Sequence, residues 1–322
     1  MPLTTAEEYR RWAGREALGS SPLYERLALG VAGDGELIDF LSGLPPAKRQ
    51  PNLLFAATRL VAGTPADYPQ FRRSVLDHRE AVAATMLSHR TQTNEPARCA
   101  ALYPVLASLP QPLALLEVGA SAGLCLLPDR YGYDYDGTPA GAVDSPLRLR
   151  CRTEGDSRFA GPGAISVVWR AGIDLNPLDV THPDDVRWLR TLVWPEQRER
   201  LERLDAAIAL ARQDPPRIVR GDLNARLGEV AAQATPGATL VVYHTAVLGY
   251  LPEEGRAAFA EQVGRLGCQW ISQEEAGVFP EVSARLRDEP AEAGYVLALN
   301  GEPVAFTALH GGRVRWLPEP SR

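Results

Sequence analysis

Apolar positions along the chain follow two regimes, and the change falls at a proline-rich stretch, Leu109-Pro110-Gln111-Pro112. Before it, apolar residues recur at three- and four-residue spacing, the period of a helix with one buried face. Phe71, Val75, Val82 and Met86 share such a face and predict one long helix over 68–90. Thr5 and Glu8 have the spacing of a capping box ahead of a helix to Leu18. Ser21-Pro22 is a cap followed by proline at the first helical position. Pro51 opens a further helix over 52–62, and Asn94-Glu95-Pro96 starts one that ends near Leu109. No strand pattern intervenes, which predicts an α-helical domain over 1–110.

From Leu113 short apolar runs alternate with helical stretches. Strands are expected over 113–116, 167–173, 217–220, 238–243 and 269–272, and helices over 183–193, 195–213, 225–234, 253–266 and 281–287. Such alternation builds a parallel sheet covered on both faces. The chain closes with runs at 295–299, 304–309 and 313–317, joined by Asn300-Gly301 and Gly311-Gly312. Tight turns join only antiparallel strands. The fold class is therefore α/β: a Rossmann-like doubly wound sheet edged by an antiparallel C-terminal hairpin, plus the N-terminal α-helical domain. The second domain runs over 111–322. It carries a hairpin insertion near 130–165, where 146–152 alternates like an exposed strand.

Composition narrows the class further. The chain has 322 residues, 45% hydrophobic and 23% charged, enough to bury a full core. The net charge of −6 argues against a nucleic-acid or anionic-membrane binder. No apolar run reaches membrane-spanning length, and the acidic start is not a signal peptide. Cys99, Cys125, Cys151 and Cys268 are scattered, as reduced core thiols of a cytoplasmic protein are. The five histidines show no ligand spacing, so no metal site is expected.

The chemistry gathers where strands end. In open α/β sheets ligands sit outside the carboxyl ends of the strands. The first strand ends at Glu117 and runs into Gly119-Ala120-Ser121-Ala122-Gly123, with a helix expected after it. Small residues let backbone approach a ligand, and a helix start points N–H groups at it. The next two strands end at Asp174 and Asp222, and the fourth at Tyr243-His244. Each acid alone is a helix cap as readily as a ligand. His244 at such an end is a candidate general base, with Tyr243 beside it. Glu274 and Glu275 follow the fifth strand as second-rank candidates. Asn94, Glu95 and Arg98 stand just before the sheet, where they either cap a helix or face the ligand.

These motifs resemble those of class I S-adenosylmethionine-dependent methyltransferases. LLEVGASAGL looks like the turn that holds the methionine part of the cofactor, through Glu117, Gly119, Ser121 and Gly123. The segment from Ala171 to Pro177 looks like the second motif, which implies that Asp174 holds the ribose hydroxyls with Asn176 nearby. Val219-Arg220-Gly221-Asp222-Leu223 looks like the third, which implies that Asp222 meets the adenine amino group. Asp174 lies far past the first turn, and Asp134 and Asp136 lie nearer the usual spacing, so the ribose acid stays open among them. Tyr133 and its tyrosine neighbours read as a pocket wall or as a hairpin packed on itself. The whole chain resembles a family of uncharacterised bacterial proteins through Thr93-Asn94-Glu95-x-x-Arg98, the GASAG turn, Asp174 to Val180, Trp194-Pro195-Glu196-Gln197 and the His244 segment. The resemblance implies S-adenosylmethionine binding and methylation of a small molecule. The alternatives are a degenerate fold that binds a ligand without chemistry, and a nicotinamide-dependent oxidoreductase. The methyl acceptor and the oligomeric state stay open.

Overall fold

The computed structural model describes residues 3–155, 163–286 and 294–318. Part of the expected insertion, 156–162, and the end of the helix expected over 281–287 lie outside them. By its own contacts the chain divides into two compact units, Met1–Thr93 with His182–Glu202, and Asn94–Thr181 with Arg203–Arg322.

The first unit is helical: α1 (Thr5–Trp12), α2 (Pro22–Ala32), α3 (Gly35–Ser42), α4 (Pro51–Ala62), α5 (Tyr68–Asp77) and α6 (Arg79–Ser88). The capping box sits one residue earlier than expected: Thr4 is the cap and its partner is Glu7. The single helix expected over 68–90 is two, broken at His78, whose φ of −115° and ψ of 27° leave the helical region. The helix α7 (Cys99–Ala107) belongs to the second unit, although it precedes the proline-rich stretch. A later helix, α8 (Pro183–Leu192), completes the first unit. Trp188 Nε1 donates to Arg90 O, Trp194 Nε1 to Asn52 Oδ1, and Glu196 accepts from Ser21 Oγ and Leu23 N at the start of α2.

The second unit is built on an eleven-stranded sheet: β1 (Leu113–Val118), β2 (Gly132–Tyr135), β3 (Thr138–Gly141), β4 (Arg148–Glu154), β5 (Val167–Asp174), β6 (Arg217–Arg220), β7 (Thr239–Thr245), β8 (Gln269–Glu275), β9 (Gly294–Leu299), β10 (Glu302–Ala308) and β11 (Arg313–Trp316). The order is β3-β2-β4-β11-β10-β9-β8-β7-β1-β5-β6. From β6 to β8 every pairing is parallel, and β9 and β10 then run antiparallel to their predecessors. The closing strands therefore do not form an edge. The β2–β4 insertion continues the sheet beyond them, because β11 pairs with β4. A C-terminal hairpin looks like an edge from sequence because local turns say nothing of what lies on its far side.

Helices α9 (Arg198–Ala211), α10 (Leu223–Ala231) and α11 (Glu253–Arg265) lie in the connections between later strands, and a short α12 (Pro280–Ser283) follows β8. One face of the sheet buries Leu116, Val118, Ile173 and Val242 with Leu227, Phe259 and Val282 of α10, α11 and α12. The chain passes from β1 outward to β5 and β6, then returns to β7 on the other side of β1. That reversal is the switch point at which a crevice opens in such sheets. Among the described residues no helix is long and apolar enough to cross a membrane.

Candidate functional site

Residues 119–123 turn sharply at the switch point. Gly119 and Gly123 have φ of 70° and 73°, in the left-handed region that favours glycine. A Cβ at Gly119 would lie 2.3 Å from Val247 Cγ2, so the turn after β7 packs directly on it. The expected helix after this turn is absent: two single 3₁₀ turns, Leu124–Leu126 and Pro128–Arg130, lead into the insertion. Pro128 and the hairpin that follows leave no run long enough for a helix. Most of the turn's N–H groups are used internally. Gly119 N and Ala120 N donate to Ile173 O, Ser121 N to Asp174 Oδ2 at 2.8 Å, Gly123 N to Ala120 O and Leu124 N to Asn94 Oδ1. This turn is therefore not a cradle of free donors for a phosphate.

What it offers instead are acceptors. Glu117 is 1% exposed, and its Oε2 has no hydrogen-bond partner. Ser121 Oγ is also buried without one. Burial pushes the Glu117 carboxyl well above the usual range, Cys125 and Asp174 push it further, and only Arg98 opposes them. A buried polar group left unpaired costs about 1–3 kcal/mol, more for a charge. A cationic donor placed there would remove that cost.

Of the expected acids, Asp174 lies against the turn, its Oδ1 accepting from Asn176 N. Asn176 Oδ1 in turn accepts from Arg220 Nη1. Asp222 is exposed and caps α10 through Ala225 N. Asp134 accepts from Gly137 N in the hairpin turn, and Asp136 holds Thr153 N and Oγ1. Both competitors are thus fasteners of the insertion. Tyr133 is buried, stacked between Tyr103 and Tyr135, with its hydroxyl on Pro128 O. It packs the hairpin.

His244 does not face the turn. Its side chain lies on the other face of the sheet, fully buried against Phe259, Trp270 and Phe279. Trp270 Nε1 can only donate, and it donates to His244 Nε2 at 3.0 Å, so the proton sits on Nδ1. Nδ1 donates to Glu274 Oε1 at 2.6 Å, and the same oxygen accepts from Val247 N and Leu248 N. Glu274 lies within β8 and is 4% exposed, not solvated beyond a strand that ends at 272 as expected. Desolvation raises its pKa, but the bonds from His244, Leu248 and Val247 outweigh it and hold the carboxyl below its ordinary value. The expected base is thus a core histidine, because position 244 alternates onto the helix-covered face. Tyr243 takes the opposite face beside Glu117, donates to Cys125 O at 2.9 Å, and is pushed well up in pKa by burial.

The segment before the sheet does come to the turn. Besides Asn94, Cys125 Sγ donates to Glu95 O, and Glu95 Oε1 pairs with Arg203 Nε at 2.8 Å. Arg98 is 5% exposed and reaches across to β7, β9 and the end of β10. Sequence reading missed Gln273 and Thr245, buried on this same face. The signal was there: in Gln269-Trp270-Ile271-Ser272-Gln273 a polar residue occupies an inward position beside Ile271. Among the described residues no cluster has the make-up of a metal site.

Residues 6–316 match the family described as uncharacterised protein conserved in bacteria, DUF2332, and the chain belongs to it. No curated protein matches the chain.

Proposed function

We propose that the chain binds a small molecule carrying a protonated amine at the switch point between β1 and β7, and that this molecule is S-adenosylmethionine. The observation that carries the reading is the buried, unpartnered Glu117 carboxyl beside a tight glycine turn. Glu117 would take the ammonium group, and Gly119 and Ser121 let the methionine portion come close to backbone. Asp174 and Asp222, at the ends of β5 and β6, are the acids for the ribose hydroxyls and the adenine amino group. Bound there, the cofactor would supply a methyl group on a sulfonium, and this chain's residues would orient it.

The nicotinamide reading loses support. Pyrophosphate binding relies on free N–H groups at a helix start. Here the turn's donors are mostly used and no helix follows. Binding without chemistry is the second reading, favoured by the burial and full bonding of both expected catalytic side chains, His244 and Tyr243.

Titration calorimetry with S-adenosylmethionine, S-adenosylhomocysteine and NAD tests the proposal. The first two should bind and NAD should not. Glu117→Gln should weaken the first two by about ten- to a hundredfold, the value of a hydrogen bond to a charged group. No binding of either sulfur compound, or equal affinity in the folded variant, rules the reading out. Methyl transfer to a library of small acceptors then separates enzyme from binder.

A further inference from the structure

On the Glu117 face of the sheet, beyond the turn, the ends of β7, β8, β9 and β10 carry Thr245, Gln273, Tyr295 and Thr307. All four are buried. Thr245 and Gln273 are register partners, and so are Tyr295 and Thr307. Arg98 Nη1 donates to Thr245 O at 3.0 Å and to Thr245 Oγ1, and Nη2 donates to Tyr295 Oη at 3.4 Å. β8 lies between β7 and β9, so the guanidinium spans the strand that carries Gln273.

Two features of this cluster are incomplete. Every hydrogen bond of Arg98 goes to an uncharged oxygen: Thr245, Tyr295 and, through Nε, Leu309 O. Nη2 has two N–H groups and one long bond, which leaves a donor over. Gln273 is fully buried, and while its Nε2 donates to Thr307 Oγ1 at 2.7 Å, its Oε1 has no partner. A buried cation hydrogen-bonded to no carboxylate, next to a buried acceptor without a donor, is costly unless something completes both.

We propose that this cluster is a second binding subsite, for a small carboxylic acid that also carries a hydroxyl or amine. The carboxylate meets Arg98 Nη2, and the hydroxyl or amine donates to Gln273 Oε1. Arg98 and Gln273 are not residues of the Glu117 turn, and Gln273→Leu together with separate titrations of the two ligand types distinguishes this subsite from the S-adenosylmethionine reading.

The test uses the full chain and matched probes: 4-hydroxybenzoate and glycolate against benzoate, acetate and the uncharged 4-hydroxybenzamide, followed by ligand-observed NMR and calorimetry. The hydroxy acid whose hydroxyl reaches Gln273 Oε1 from a carboxylate on Arg98 Nη2 should bind better than its plain counterpart, the plain acids more weakly, and the amide not at all. Gln273→Leu should cost that hydroxy acid about three- to tenfold, the value of one neutral hydrogen bond, and leave benzoate and acetate unchanged. It should leave S-adenosylmethionine affinity as in the parent. Arg98→Lys, which keeps the charge and loses the fork, should weaken all four acids. Binding of no acid, equal binding of the amide, or a Gln273→Leu variant that keeps its preference for hydroxy acids overturns the proposal. Acid binding without S-adenosylmethionine binding would sustain this subsite and remove the other reading.

Discussion

Glu117 concentrates the chemistry of the site in one carboxyl. Burial raises its pKa in the folded chain, so the folded state holds that proton to higher pH than the unfolded state. For a group raised in this direction, its stabilising share is complete below the unfolded value. It is lost as pH rises through the folded value. The unfolding free energy of the parent should therefore fall relative to Glu117→Gln as pH rises above about 4.5, by at most about 1.4 kcal/mol per unit. Urea denaturation of both proteins over this range checks it, and parallel curves would mean that Glu117 titrates as it does in the unfolded chain. The residue itself was legible as an acid closing an apolar strand. Its lack of a partner was not, since that depends on where Arg98, Cys125 and Tyr243 arrive from distant sequence.

At the scale of elements, the strands were legible and their surroundings were not. Apolar runs identify β1 and β7, which are buried on both faces over most of their length, and β5, which is buried over 171–173. The missing helix after Gly123 and the placing of the closing strands inside the sheet depend on pairings with the insertion, which no window of sequence contains. His244 shows the same limit: its strand was placed correctly, but which face it takes follows from alternation about the end of β7. Its role is to hold Glu274, and through it the turn that packs Val247 on Gly119. His244→Ala would leave Trp270 Nε1 unpaired in the core and take from Glu274 Oε1 one of its three donors. The loss should be about 3 kcal/mol of stability. Amide exchange at Val247 and Leu248 should speed up, and ligand affinity of the folded fraction should change little. A variant as stable as the parent, with its loss confined to ligand binding or turnover, would return His244 to the site.

At the scale of the whole molecule, the proline-rich stretch at 109–112 is the clearest break in the sequence, yet the chain's contacts divide elsewhere. Asn94 to Ala107 stays with the sheet because Asn94, Glu95 and Arg98 bond to the turn, to Arg203 and to β7. His182–Glu202 leaves the sheet unit and returns to the helices, where Trp188, Trp194 and Glu196 are bonded to Arg90, Asn52 and the start of α2. Arg59 fixes the same segment by donating to Thr191 O and Val193 O. The helical unit is thus made of two stretches of chain, and neither stretch contains its whole core. A fragment of residues 1–93 lacks α8 and the Trp194 ring that packs on Trp12 and Tyr24. It should melt without a cooperative transition and bind a hydrophobic dye. Supplying residues 182–202 in the same chain, through a flexible linker after residue 93, should restore a cooperative transition, because it returns the missing face of the core. Calorimetry of the two fragments decides it. A cooperative melt of 1–93 alone would show that the helices close their core without the later segment.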